Sequence, residues 1–192
     1  MAIHILNRLL SSITSYSTKS QSRSLFYWVR DMFNRVEEDR ILVLGPDVAC
    51  AMWLLRNGAY VRWKGYSEHL IDYNKIPEDA SYYIEAVHAD NAGINHVGFP
   101  YFEGCKHIKE MNLISCKYIN NQAMALLPLL KDSLTEINII KCKSVTDEGL
   151  LCLKDLKNLK LIKVEGLRYL EDKESVRNEL KNALPDCEIC IK

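Results

Sequence analysis

No apolar run in this chain approaches the roughly 20 residues that a helix needs to span a bilayer, so membrane association is read as peripheral or through a partner. Charge of one sign is missing as well. With 25 basic and 25 acidic residues, the chain lacks the surplus of Lys and Arg that a nucleic-acid groove requires. GxSxG, a phosphate-binding loop, GxGxxG and HExxH are all absent, which removes the commonest signatures of hydrolase, nucleotide and zinc-protease chemistry. An even cysteine set behind a secretory signal is absent too. Seven cysteines stand at Cys50, Cys105, Cys116, Cys142, Cys152, Cys187 and Cys190, an odd number that argues against a disulfide framework and for a reducing compartment. What remains is an ordinary globular composition, 48% hydrophobic and 26% charged. Its 192 residues suffice for one domain, or for a small domain packed on a short repeat array.

Acidic residues are missing from the first 24 positions, the first being Asp31. That stretch carries Arg8, Lys19 and Arg23 among many Ser and Thr, while Ile3, Leu6, Leu10 and Ile13 share a helical face. A basic, Ser-rich, acid-free amphipathic start has the composition of a mitochondrial transit peptide. The plain alternative is an N-terminal tail.

Residues 25–64 read as a small helical domain. Leu25, Trp28, Val29, Met32, Phe33 and Val36 recur at helical spacing. Asp39 is placed to cap a short segment through Leu44, and Gly45-Pro46-Asp47 breaks it. Val48–Arg56 continues as a helix that Asn57-Gly58 stops, because glycine accepts the left-handed conformation cheaply. Ala59–Trp63 alternates as a strand. Phe26, Tyr27, Trp28 and Trp53 read as core rather than as a ligand pocket, since they follow the helical period.

Residues 65–192 repeat. Leu113-Ile-Ser-Cys116-Lys-Tyr-Ile119 aligns without a gap on Ile139-Ile-Lys-Cys142-Lys-Ser-Val145, 26 residues later. Val164-Glu-Gly-Leu167 follows at an offset of 25, and Val87-His-Ala-Asp90 precedes at 26, with Asp90 in the cysteine slot. This period and pattern belong to leucine-rich repeats. The expected architecture is α/β: a stack of about four cysteine-containing repeats, closed by a last strand at Cys187–Lys192, beside the helical domain. Each Cys is expected to be buried with its thiol on a backbone group. Asn121 and Asp147 are expected to cap the helices that follow. The repeats resemble those of F-box substrate adaptors, one alternative class.

Little here suggests catalysis. Cys187 and Cys190, three apart on a strand, point to opposite faces. Of the histidines, His4, His69, His88, His96 and His107, none has metalloenzyme spacing. His88 and Asp90 do share a strand face, and Asp90 offers a hard oxygen of the kind Mg²⁺ takes. On spacing alone Asp90 reads as a turn residue.

Leu25-Phe-Tyr-Trp-Val-Arg-Asp-Met-Phe-Asn-Arg-Val, Gly45-Pro-Asp47, Trp53-Leu-Leu-Arg-Asn-Gly58, Ser115-Cys116-Lys-Tyr-Ile119 and Val145-Thr-Asp-Glu-Gly149 together resemble the coupling factor B family, subunit s of mitochondrial ATP synthase. The resemblance runs from Leu25 to the end of the chain. It implies a non-enzymatic protein on the matrix side of the mitochondrial inner membrane. Such a protein helps to couple proton flow to ATP synthesis through the membrane sector of the synthase. A relative implicated in assembling the complex I membrane arm leaves an assembly factor for a respiratory complex as the rival. The resemblance also implies a structural Mg²⁺ between the helical and repeat domains, held by the Gly58 carbonyl and by Asp90, where relatives carry a hydroxyl. A helix ending at Asn57-Gly58 leaves partly negative carbonyls, which gives a cation its motive there. The family's Cys-x-Cys dithiol is broken here, because Ile114 stands where its first thiol would be.

Overall fold

The computed structural model describes residues 25–77 and 79–192. The transit-peptide expectation falls on residues 1–24 and lies outside them. The described residues fall into two units, 25–33 and 34–192. Helix α1 occupies residues 25–34. Its Phe26, Tyr27 and Trp28 are 76%, 58% and 60% exposed, which corrects their expected place in a core. Helical periodicity defines a face but not what covers it. No helix among the described residues is long and apolar enough to cross a membrane.

In the unit 34–192, helices α2 (Glu38–Leu44) and α3 (Pro46–Arg56) precede a seven-stranded sheet. The strands are β1 (Tyr60–Trp63), β2 (His69–Leu70), β3 (Ile84–Asp90), β4 (Glu110–Ile114), β5 (Glu136–Ile140), β6 (Leu161–Glu165) and β7 (Glu188–Ile191). Their order is β2-β1-β3-β4-β5-β6-β7. β1 is antiparallel to β2 and β3, and β3 to β7 run parallel. Short helices α4 (Asn121–Met124) and α5 (Asp147–Leu151), 3-10 turns, and the longer α6 (Lys173–Ala183) connect the parallel strands.

Alternation along each strand builds the core. Val87, Met111, Ile137, Ile162 and Ile189 line up across the sheet, as do Ala89, Leu113, Ile139, Val164 and Ile191. Nearly all are fully buried, and each large one contributes about 1.5–3 kcal/mol relative to exposure. The opposite face carries His88, Asn112, Asn138, Lys163 and Cys190.

Helix α3 is surrounded by this core: Val48, Ala49, Cys50, Ala51, Trp53 and Leu54 are buried. Pro46 at its first position suits a helix start. Asp47 accepts the Ile84 amide hydrogen at 2.8 Å and so ties the helix start to β3. Trp53 stacks on Tyr101 with 5.5 Å between ring centroids and meets Phe99 and Phe102 edge-on. Gly98 leaves room for this indole, since a Cβ there would lie 2.3 Å from it.

The parallel strands β3, β4, β5 and β6 are each left through the same backbone device. Asn91, Ser115, Lys141 and Gly166 all have positive φ, at 50°, 53°, 54° and 68°. The amides of Asn91, Ser115 and Lys141 each donate to the next strand, to Ile114, Ile140 and Glu165. Just beyond, Cys116 and Cys142 are wholly buried. Their thiols reach the Ala89 and Leu113 carbonyls at 3.3 and 3.4 Å, as expected.

The helix caps differ from expectation. Asn120, not Asn121, accepts from the Ala123 amide and caps α4. Asn121 and Asp147 reach forward instead. Asn121 accepts from the Thr146 amide, and Asp147 from the amides of Glu171 and Asp172. The amide hydrogens they serve belong to the next connection along the sheet, so each pins one connection to its successor.

Candidate metal centre

Gly58 and Asp90, the two expected ligands, come to the same end of the sheet. β1 pairs with β3 through Tyr60↔His88 and Val61↔Val87. Gly58 lies two residues before β1 and Asp90 is the last residue of β3, and both are exposed. Gly58 holds the turn at φ 81°, a conformation that glycine adopts without a steric penalty.

Two parts of the sequence reading change. First, the last-turn carbonyls of α3 are not left unpaired. The Trp53 carbonyl accepts from the Asn57 amide and side chain, Leu54 from the amides of Asn57 and Ala59, and Leu55 from the Gly58 amide. The helix closes its own end, so the cation's expected motive there falls away. Second, Asp90 is not at the cysteine slot. β3 pairs with β4 as Ala89↔Leu113 and Asp90↔Ile114, an offset of 24 rather than 26. The counterpart of Cys116 is the buried Ala92. Asp90 is the last residue of β3 and stands on the open face.

A buried hydrogen-bond hub underlies the Gly58 turn. Asn34 is fully buried and all four of its amide valences are used. Its Nδ2 donates to Asn57 Oδ1 at 3.2 Å and to the Gly93 carbonyl at 3.1 Å. Its Oδ1 accepts from Trp53 Nε1 at 3.1 Å and from the Asn95 amide at 3.0 Å. The Gly93 amide donates to the Asn57 carbonyl at 2.7 Å. One side chain thus locks the α3–β1 turn to the loop leaving β3. Asn34 falls inside a helical pattern in the sequence, and no local spacing signals its role, because its partners lie up to 61 residues away.

Gly58 and Asp90 would offer a backbone carbonyl and one carboxylate, hard oxygens of the kind Mg²⁺ takes with water in its remaining positions. Among the described residues no three His, Cys, Asp or Glu side chains converge as a metal cage. Burial pushes the nearby His88 imidazole below its usual range.

The thiols are structural in their surroundings. Cys116 and Cys142 are neighbouring thiols whose interaction lowers the first and raises the second. Cys187 is buried and Cys190 only partly covered, in keeping with their opposite-face reading. His107 approaches the Lys64 ammonium at 3.3 Å.

No protein-family model matches the chain. Curated relatives named ATP synthase subunit s, mitochondrial, are similar to it over nearly its whole length. The Rattus norvegicus protein is 36% identical over 189 residues, covering 96% of this chain and 94% of its own. The Homo sapiens protein is 33% identical over 192 residues, covering 97% and 96%. The Bos taurus protein is 33% identical over 189 residues, covering 96% and 94%.

Proposed function

Because the chain belongs to the family of mitochondrial ATP synthase subunit s, we propose that it is a non-catalytic component of the mitochondrial ATP synthase that supports the coupling of proton flow to ATP synthesis. The observation that carries this reading is collinear similarity across nearly the entire length of relatives bearing that name. Residues 1–24 serve as the import address. The folded part works on the matrix side of the inner membrane, where it docks peripherally on the membrane sector. The parallel strands and their connections act as a short leucine-rich-repeat stack. Support for that comes from the shared positive-φ exit at Asn91, Ser115, Lys141 and Gly166 and from the Leu113↔Ile139↔Val164 register. Repeat stacks present an open sheet face to partners, and here that face carries polar side chains such as Asn112, Asn138 and Lys163.

Within this reading Mg²⁺ is structural. It is held by the Gly58 carbonyl and the Asp90 carboxylate among water ligands, and pins the α3–β1 turn to the end of β3. The placement of both residues at one end of the β1–β3 pair supports it.

The test of function is proximity labelling from this protein in isolated mitochondria. Labels on mature ATP synthase subunits are expected. Labels confined to assembly intermediates of another respiratory complex would overturn the proposal.

A further inference from the structure

We propose that His69 and His88 form a two-histidine site for a borderline divalent transition-metal ion, of which Zn²⁺ is the type. The site differs in donor chemistry and position from the oxygen site at Gly58 and Asp90. His69 lies on the edge strand β2 and His88 on β3, with β1 between them. Their Nε2 atoms approach to 3.0 Å across Tyr60. Two imidazole nitrogens bound to one tetrahedral ion, each about 2.0–2.1 Å from the metal, stand roughly 3.3 Å apart. The two Nε2 atoms therefore already stand close to the separation that an ion needs, and a small rotation of the rings, which breaks their mutual hydrogen bond, seats it.

The rings are held in place before any ion arrives. Tyr60 stacks flat on His88, with centroids 5.1 Å apart and planes 5° from parallel. It also meets His69 edge-on at 5.3 Å. The two imidazoles cross at 85°. Such preorganisation lowers the entropic cost of bringing two ligands together. His69 is exposed, which gives an ion a way in and leaves its remaining positions to water. Imidazole suits Zn²⁺, Ni²⁺ and Cu²⁺ and is a poor choice for Mg²⁺.

An outer shell is also present. His88 Nδ1 lies 3.0 Å from Asn112 Nδ2. The same amide nitrogen donates to Glu110 at 2.8 Å, while Asn112 Oδ1 accepts from Asn138 Nδ2 at 2.6 Å. In the metal-free pair His88 accepts at Nδ1 and donates its Nε2 proton to His69. When an ion takes both Nε2 lone pairs, the His88 proton moves to Nδ1, and each ring keeps one proton. Turning the Asn112 and Asn138 amides over then presents an oxygen to that Nδ1–H and preserves their mutual bond. A ligating histidine's second nitrogen ordinarily donates in this way. Glu110 swings toward Arg62 Nη2, already 3.5 Å away. Glu110 favours a cation here and Arg62 opposes it. Arg62 is held by Glu85 at 2.5 Å and by Glu110, which blunts its opposition.

An ion at this point clasps the two-residue edge strand to the sheet. The test is calorimetric titration of the full chain with Zn²⁺ in millimolar Mg²⁺, with Cu²⁺ electron paramagnetic resonance as a second probe. One Zn²⁺ per chain and two nitrogen ligands on Cu²⁺ are expected. His69→Gln, at an exposed position, should weaken binding at least tenfold, as should His88→Gln. Cys190→Ser, Asp90→Ala and the His96→Gln/His107→Gln pair should retain it. Undiminished binding in His69→Gln, loss of binding in any of the retained variants, or no binding below 100 µM Zn²⁺, an affinity of about 5.5 kcal/mol, would overturn the site.

Discussion

The indole N–H of Trp53 donates to the Asn34 side-chain oxygen at 3.1 Å, deep inside the protein. This bond joins the aromatic centre of the α3 core to the hub that holds the Gly58 turn. Asn34→Ala should leave Trp53 Nε1 and the Asn95 amide without their acceptor. The expected cost is about 1–3 kcal/mol for each buried group so orphaned. Urea unfolding followed by tryptophan fluorescence would measure it, and an unchanged midpoint would contradict the assignment.

Gly98 exists for the same indole. A methyl group at residue 98 would sit 2.3 Å from the ring, so Gly98→Ala must displace Trp53 or the backbone. Overpacking of this kind costs about 1–3 kcal/mol. Near-ultraviolet circular dichroism should change together with the melting temperature.

Asp47 sets a pH dependence. Burial raises its pKa in the folded state, although the Ile84 amide and His107 pull the other way. A carboxyl group with a raised folded pKa is penalised when ionised. That penalty is full above the folded pKa and vanishes below the unfolded value of about 3.9. Asp47→Asn keeps an acceptor for Ile84 and removes the charge. Its stability advantage over the parent should therefore be largest near neutrality and shrink as pH falls through the window between the unfolded and folded pKa values. Denaturant titrations at several pH values would reveal a gap that widens on acidification if the sign is wrong.

Lys141 occupies a left-handed conformation at φ 54° that its counterpart Gly166 adopts as glycine. A non-glycine residue there costs roughly 1–2 kcal/mol, partly offset by the extra freedom glycine gains when unfolded. Lys141→Gly should stabilise by up to about 1 kcal/mol. Ile139→Asp, at a fully buried position in the central row, should cost more than the about 2–5 kcal/mol of a simple truncation, because it also buries a charge. Thermal scans of the two variants should move in opposite directions.

Mg²⁺ should raise the wild-type unfolding midpoint by mass action, and a chelator should lower it again. Asp90→Ala should respond to neither. An equal response in that variant would remove Asp90 from the site.

The helix stop at Asn57-Gly58, the strand through Trp63, the pairing of Leu113 with Ile139 and the burial of Cys116 and Cys142 all follow from local periodicity, and the structure has them. Tertiary structure decided the rest. The β3–β4 register slipped from an offset of 26 to 24. A shift of two residues keeps every side chain on its face, so the apolar pattern was equally content with either, and only the length of the connection and its hydrogen bonds chose. That slip moved Asp90 from a turn slot to the open face. Asn34 became a hub and His69 met His88 for the same reason. Their partners are distant in sequence, and no local spacing records where a chain will close on itself.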